Sequence, residues 1–111
     1  MDQCKFIGTE ITFDELTEWI LTLKGHERIT EIRYYGSRVF GNPRSDSDID
    51  VYLALKELED DDIENGDEFE RGPLFSKIFK KQVIEFHAFV DFGDGYIPSQ
   101  LRDSKNELDG K

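Results

Sequence analysis

The chain has 111 residues, a length that fits one domain and leaves little room for a separate substrate-binding domain. Its formal charge is −11, from 25 acidic and 14 basic residues, which opposes a nucleic-acid backbone and argues against a polymerase role. A single cysteine, Cys4, excludes an internal disulfide, and no leader or membrane-spanning pattern is seen, so we expect a cytoplasmic protein that binds neither nucleic acid nor membrane.

The first half of the chain predicts one helix and two strands. Residues 12–24 favour a helix that covers a sheet, because Thr12 and Glu15 match a capping box and apolar residues recur on one face. The segment ITEIRYY, residues 29–35, is typical of a strand. A second strand begins near Ile49, where polar and apolar side chains alternate.

The second half predicts an acidic loop, a helix, a third strand and a polar terminal helix. Residues 57–70 hold nine acidic residues in fourteen, which favours a solvated, mobile loop. A helix is predicted from residue 72 to residue 81, a strand over 83–89 and the terminal helix over 99–108. The apolar residues expected to face the sheet from the first of these helices are Leu74, Phe75, Ile78 and Phe79. Together the elements predict an α+β domain, with a small mixed sheet of three or more strands covered by helices.

The stretch GSRVFGNPRSDSDID, residues 36–50, carries the chemistry. Gly36 permits close backbone approach, and Ser37 begins a short helix whose N–H groups and hydroxyl suit phosphate oxygens. Asp48 and Asp50 alternate along the predicted strand, so they lie on one face, roughly 6.5 Å apart along its axis. Two carboxylates this close repel unless they share a cation, and Mg²⁺ prefers such ligands.

These residues resemble the nucleotidyltransferase superfamily that includes DNA polymerase β, and most closely its minimal nucleotidyltransferase branch. There Gly-Ser precedes Asp-x-Asp at about the same distance. The matching residues are Gly36, Ser37, Gly41, the run 46–50 and the apolar continuation 51–55. The resemblance covers about residues 12–92, and it implies a single minimal nucleotidyltransferase domain over 1–111 with residues 93–111 as a tail.

In that family a third carboxylate from the neighbouring strand completes the metal cage. The matching run here is VIEFH, residues 83–87, in which alternation puts Glu85 and His87 on one face. Glu85 is the natural counterpart, although glutamate is one methylene longer than the usual aspartate, and Asp91 is the other candidate. His87 is either a general base or a partly buried strand histidine with no catalytic task.

The resemblance implies transfer of a nucleoside monophosphate from a nucleoside triphosphate, most often ATP, to a hydroxyl, with release of pyrophosphate. The residues it assigns to two Mg²⁺ ions are Asp48, Asp50 and Glu85. The residues it assigns to the nucleotide are Gly36 and Ser37, and Arg38 joins them because a guanidinium could reach phosphate oxygens. Arg38 and Arg44 are equally suited to surface positions that pair with the surplus of acids.

Two other functions stay open. The minimal branch resembles the antitoxin half of a toxin–antitoxin pair, which implies a binding module that neutralises a helical toxin partner with little or no catalysis. An antibiotic-modifying enzyme is a third reading. The chain is too short to shape a drug pocket alone, so this reading needs a homo-oligomer.

Overall fold

The computed structural model describes residues 4–56, 69, 74–91, 99–101 and 103–109. The elements in chain order are α1 (Phe13–Ile20), a 3-10 turn (His26–Arg28), β1 (Ile29–Tyr35), α2 (Ser37–Phe40), β2 (Ile49–Lys56), β3 (Leu74–Phe79), β4 (Gln82–Asp91) and a second 3-10 turn (Ser99–Leu101). No helix among the described residues is long and apolar enough to cross a lipid bilayer.

The four strands form one mixed sheet in the order β1-β2-β4-β3. The outer pairs β1–β2 and β3–β4 are antiparallel, whereas the central pair β2–β4 is parallel. Each central strand is therefore hydrogen-bonded on both sides. The predicted α+β class and mixed sheet are confirmed, and so are the strands predicted over 29–35, from Ile49 and over 83–89.

Helix α1 begins with the predicted capping box but ends earlier than predicted. The Thr12 hydroxyl accepts from the Glu15 N–H at 3.1 Å, and the Glu15 carboxylate accepts from the Thr12 N–H at 3.1 Å. The helix stops at Ile20 instead of Lys24. Past its end, the Thr22 hydroxyl donates to the Trp19 carbonyl at 2.6 Å, a local side-chain bond that competes with continuation of the helix.

The core lies between α1 and one face of the sheet. Its buried side chains alternate along the strands, as residues of one sheet face must. They include Leu16 and Ile20 of α1, Ile32 and Tyr34 of β1, Ile49, Val51 and Leu53 of β2, and Ile84 and Phe86 of β4. Phe6 and Leu101 are also fully buried, so the packed core extends beyond the predicted limits of 12–92 on both sides.

The helix predicted over 72–81 is wrong, because residues 74–79 form the edge strand β3. The apolar positions of LFSKIF fit either periodicity, and pairing with β4 decides between them. Leu74 and Ile78, expected to face the core, instead lie on the opposite face and are 58% and 69% exposed. The hairpin turn is Lys80–Lys81, with φ of +51° and +68°, the left-handed conformation that two-residue hairpins need.

The terminal helix predicted over 99–108 is also wrong. Among the residues described there, only Ser99–Leu101 form a 3-10 turn, and the segment after it runs along the outer edge of β1. The Asn106 side chain accepts from the Ile32 N–H at 3.1 Å, and the Glu107 N–H donates to the Ile32 carbonyl at 2.7 Å. These bonds satisfy backbone groups that an edge strand otherwise leaves open.

The predicted acidic loop, residues 57–70, lies outside the described residues except for Phe69. That side chain is buried in the core, with its ring centroid 6.0 Å from that of Phe75. The predicted solvation and mobility of the rest of the loop stay predictions.

Candidate metal centre

The face of the sheet opposite α1 carries a cluster of possible metal ligands at its centre. Asp50 on β2 and Glu85 on β4 are direct partners in the parallel register, and His87 follows two residues later on the same face. One ligand atom from each of these three residues lies within 4.8 Å of the other two. The cluster therefore joins two carboxylates and an imidazole on the two strands that the sheet holds most firmly.

All three side chains are partly buried. The Nε2 atom of His87 lies 3.3 Å from Oε1 of Glu85, and the two side chains are 28% and 30% exposed. This exposure leaves access for a small ion or a substrate atom, while the surrounding side chains displace part of the water that would screen the charges.

The surroundings of Asp50 disfavour its ionised form. Burial raises the pKa of the Asp50 carboxyl above its usual range, and the nearby carboxylate of Glu85 raises it further. His87 lowers the pKa of Asp50, whereas Asp48 raises it slightly. A bound cation would reverse the main repulsion, so the donor set fits a divalent ion.

Tyr35 is a residue of this site that the sequence analysis missed. It is the register partner of Asp50 on β1, and its ring centroid lies 5.8 Å from that of His87. Burial and the charges of Asp50 and Glu85 raise the pKa of its phenol above its usual range, so the neutral form is favoured still more strongly than in water. The available signal was its position at the end of β1, directly before the Gly-Ser turn.

Gly36 lies against the carboxylate of Asp50. Its φ is +86°, and a Cβ built there would be 3.1 Å from Cγ and 3.4 Å from Cβ of Asp50, with the carboxylate Oδ2 closer still. Only a residue without a side chain fits between the end of β1 and this carboxylate. The predicted need for close backbone approach at Gly36 is therefore confirmed, and the group it approaches is Asp50.

Ser37 begins α2 beside this contact, as predicted, and α2 is a single turn of four residues. Its side chain is partly buried. The hydroxyl makes no hydrogen bond to any residue that the structure describes. Its expected role in phosphate binding stays a prediction.

The guanidinium of Arg38 is largely occupied by backbone carbonyls, which leaves it poorly placed to bind a phosphate. Its side chain is buried, with 4% exposed. The guanidinium donates to four backbone carbonyls, at 2.8 Å to Ser47, 2.9 Å to Ile7, 3.3 Å to Arg44 and 3.2 Å to Ser45. Four of its five N–H groups are thus used by the backbone, so the assignments to nucleotide and to the surface are both corrected: Arg38 is a positioning residue.

The turn that Arg38 holds is the one that leads into Asp48. Within this turn the Ser47 hydroxyl accepts from the Arg44 N–H at 2.8 Å, and the Gln82 side chain donates to the Ser47 carbonyl at 2.8 Å. Asp48 precedes β2 and is partly buried. Asp48 is not part of the cluster of possible metal ligands. Among the groups that shift the pKa of Asp50, it has the smallest effect.

The predicted cage of Asp48, Asp50 and Glu85 is therefore brought together in part. Asp50 and Glu85 meet, while His87 takes the third place within ligand distance. Asp91 is excluded as the third carboxylate, because its register partner is Lys56, six residues along β2 from Asp50, or roughly 20 Å. 

Comparisons of the chain with protein-family models, with curated proteins and with solved structures found no match. Function is accordingly argued from the chemistry of the site and not from the fold.

Proposed function

We propose that this chain is a metal-dependent nucleotidyltransferase domain, which transfers a nucleoside monophosphate from a nucleoside triphosphate, most often ATP, to a hydroxyl of a protein or small molecule. The observation that carries the proposal is the pair Asp50 and Glu85, which are register partners on two parallel strands, with Gly36 packed against Asp50. Asp50 falls within the motif by which the sequence resembles minimal nucleotidyltransferases, and Glu85 takes the place of the family's third carboxylate. A nucleotidyltransferase-like fold is part of the proposal.

The residues of the site have separate tasks in this reaction. In this proposal Asp50 and Glu85 hold the divalent cation, and the Ser37 hydroxyl and the N–H groups at the start of α2 donate to phosphate oxygens. When bound, the cation would neutralise charge on the triphosphate and lower the pKa of the attacking hydroxyl. Binding of two Mg²⁺ ions stays a prediction, and so does direct coordination of an ion by Asp48.

The reaction forms one bond and breaks another at the α-phosphorus. The acceptor oxygen bonds to that phosphorus, the bond to the pyrophosphate oxygen breaks, and the hydroxyl proton passes to solvent. Tyr35, whose ring lies beside His87, adds a neutral phenol to the surroundings of the site. Because the chain carries a formal charge of −11, a bare triphosphate is repelled, and nucleotide affinity should depend steeply on the cation.

A second candidate, the antitoxin-type binding module, is supported by apolar side chains on the same open face of the sheet. Leu74, Ile78 and Phe89 are 58%, 69% and 48% exposed. Exposed apolar residues grouped on one face favour a protein partner.

The two functions separate in one labelling experiment. The protein is incubated with each nucleoside triphosphate labelled at the α-phosphate, with Mg²⁺ or Mn²⁺, and with a cell lysate as the source of acceptors. Label on a protein or a small molecule supports the proposal, provided that Asp50→Asn abolishes it. Asp46→Asn, an exposed aspartate four residues upstream, is the matched control and keeps the activity.

Absence of label with all four nucleotides and both ions counts against the enzyme. Stable co-purification of a protein partner without label, unaffected by Asp50→Asn, would support the binding module instead.

A further inference from the structure

The third residue of the cluster differs in kind from the ligands that Mg²⁺ prefers. Asp50 and Glu85 offer oxygen, whereas His87 offers nitrogen. Magnesium is a hard ion that favours carboxylates, carbonyls and water, while imidazole suits first-row transition ions. A donor set of two carboxylates and one imidazole therefore matches Mg²⁺ less well than Mn²⁺, Fe²⁺ or Co²⁺.

We infer that His87 is a metal ligand, and that its nitrogen makes this site bind first-row transition ions in preference to Mg²⁺. The inference concerns the metal site of the proposed function and rests on that site, although it does not require turnover. In this inference His87 is neither a general base nor a strand histidine without a functional role.

The geometry of the two β4 residues supports ligation. Glu85 and His87 project from one face of the same strand, and His87 Nε2 lies 3.3 Å from Glu85 Oε1. Two ligands at right angles around an ion, each about 2.1 Å from it, are separated by roughly 3 Å. The observed separation is thus close to the edge of a coordination polyhedron, and a small side-chain movement completes it.

Asp50 supplies the third corner from the neighbouring strand. Its backbone is fixed opposite Glu85 by the parallel register, and its carboxylate is confined by Gly36. The three ligand atoms already lie within 4.8 Å of one another, so an ion can be held without rearrangement of the sheet. All three side chains keep some exposure, which leaves ligand positions for water or phosphate.

The test measures metal binding by the full chain in the absence of nucleotide. Dissociation constants for MnCl₂ and MgCl₂ are determined by titration calorimetry, and the bound Mn²⁺ is examined by pulsed electron paramagnetic resonance for coupling to a ¹⁴N nucleus. The wild-type chain should bind Mn²⁺ at least about tenfold more tightly than Mg²⁺ and show nitrogen coupling.

Two variants at His87 separate ligation from folding. His87→Asn should weaken Mn²⁺ binding at least about tenfold, leave Mg²⁺ binding within about twofold and remove the nitrogen coupling. His87→Glu replaces nitrogen by oxygen at similar reach, and should bring the two dissociation constants together. His26→Asn is the control, because His26 begins the 3-10 turn before β1, where its ring contacts the Leu23 carbonyl at 2.9 Å, and its removal should change none of these values.

Mn²⁺ bound without nitrogen coupling, an unchanged preference in both His87 variants, or no binding of either ion would overturn the inference. The proposed transferase function would then still be tested by the labelling experiment, independently of this result. Conversely, nitrogen-coupled Mn²⁺ in a chain that transfers no label would sustain the inference while the transferase proposal fails.

Discussion

Gly36→Ala offers a sharp test of the site, because a second glycine provides a matched control. Gly36 has φ/ψ of +86°/−169° and Gly41 has +118°/161°, so both occupy a backbone region that is essentially limited to glycine. An alanine in this region costs about 1–3 kcal/mol. A chain of this length is stable by roughly 5–15 kcal/mol, so both alanine variants should fold.

The two positions differ only in what a methyl group would meet. At Gly41 a Cβ has nothing within 4 Å, whereas at Gly36 it overlaps the Asp50 carboxylate. Backbone strain should therefore cost each variant about 1–3 kcal/mol of unfolding free energy, or about 5–15 °C in melting temperature, and the overlap with Asp50 adds to the loss in Gly36→Ala. Only Gly36→Ala must also displace Asp50, and its affinity for Mn²⁺ should fall at least about tenfold.

Thermal unfolding and calorimetric titration with MnCl₂ measure these two effects separately. The expected pattern is equal backbone strain in the two variants and loss of metal binding in one. If Gly36→Ala binds Mn²⁺ as tightly as Gly41→Ala does, the contact between Gly36 and Asp50 has no part in shaping the site, and the reasoning is refuted.

Two further variants test the charge and the scaffold of the site. The raised pKa of Asp50 means that its ionised form is disfavoured in the folded state, so the contribution of Asp50 to metal-free stability is greatest below the ordinary aspartate pKa and is lost as pH rises through the raised one. Asp50→Asn should accordingly raise the metal-free melting temperature at pH 7, make little difference near pH 3 and abolish stabilisation by Mn²⁺, and an unchanged response to Mn²⁺ would contradict the assignment. Arg38→Met leaves four backbone carbonyls without their donor and should cost about 2–4 kcal/mol in urea unfolding, whereas Arg44→Met, at an exposed position, should change stability by less than about 0.5 kcal/mol. Equal costs for the two arginines would show that the buried guanidinium does not hold the turn.

Local patterns in the sequence were sufficient for the first helix and for three strands. The capping box of Thr12 and Glu15 joins residues only three apart in the sequence. In the strands that carry Asp50 and Glu85, side chains alternate between the two faces of the sheet, so residues two apart within one strand share a face. The family resemblance, which takes a third carboxylate from the neighbouring strand, supplies the expectation that Glu85 lies beside Asp50, and the structure brings them together.

The errors arise where distant segments decide the outcome. Residues 74–79 have apolar spacing that suits a helix, and the pairing that makes them a strand depends on β4 and on a turn of two lysines without glycine or asparagine. The strand register that brings His87, and not Asp48, into the cluster cannot be read from either strand alone. Arg38 was misassigned because its four acceptors lie in two other segments of the chain.

The parallel central pair has a consequence for how an ion is captured. β2 and β4 are each bonded to a neighbour on both sides, so the backbone positions of Asp50, Glu85 and His87 share the stiffness of the whole sheet. Little conformational entropy is then lost when a cation arrives, because only side-chain torsions have to be fixed. Affinity at such a preorganised site should respond mainly to the chemical identity of its donors and little to sequence changes in surrounding loops.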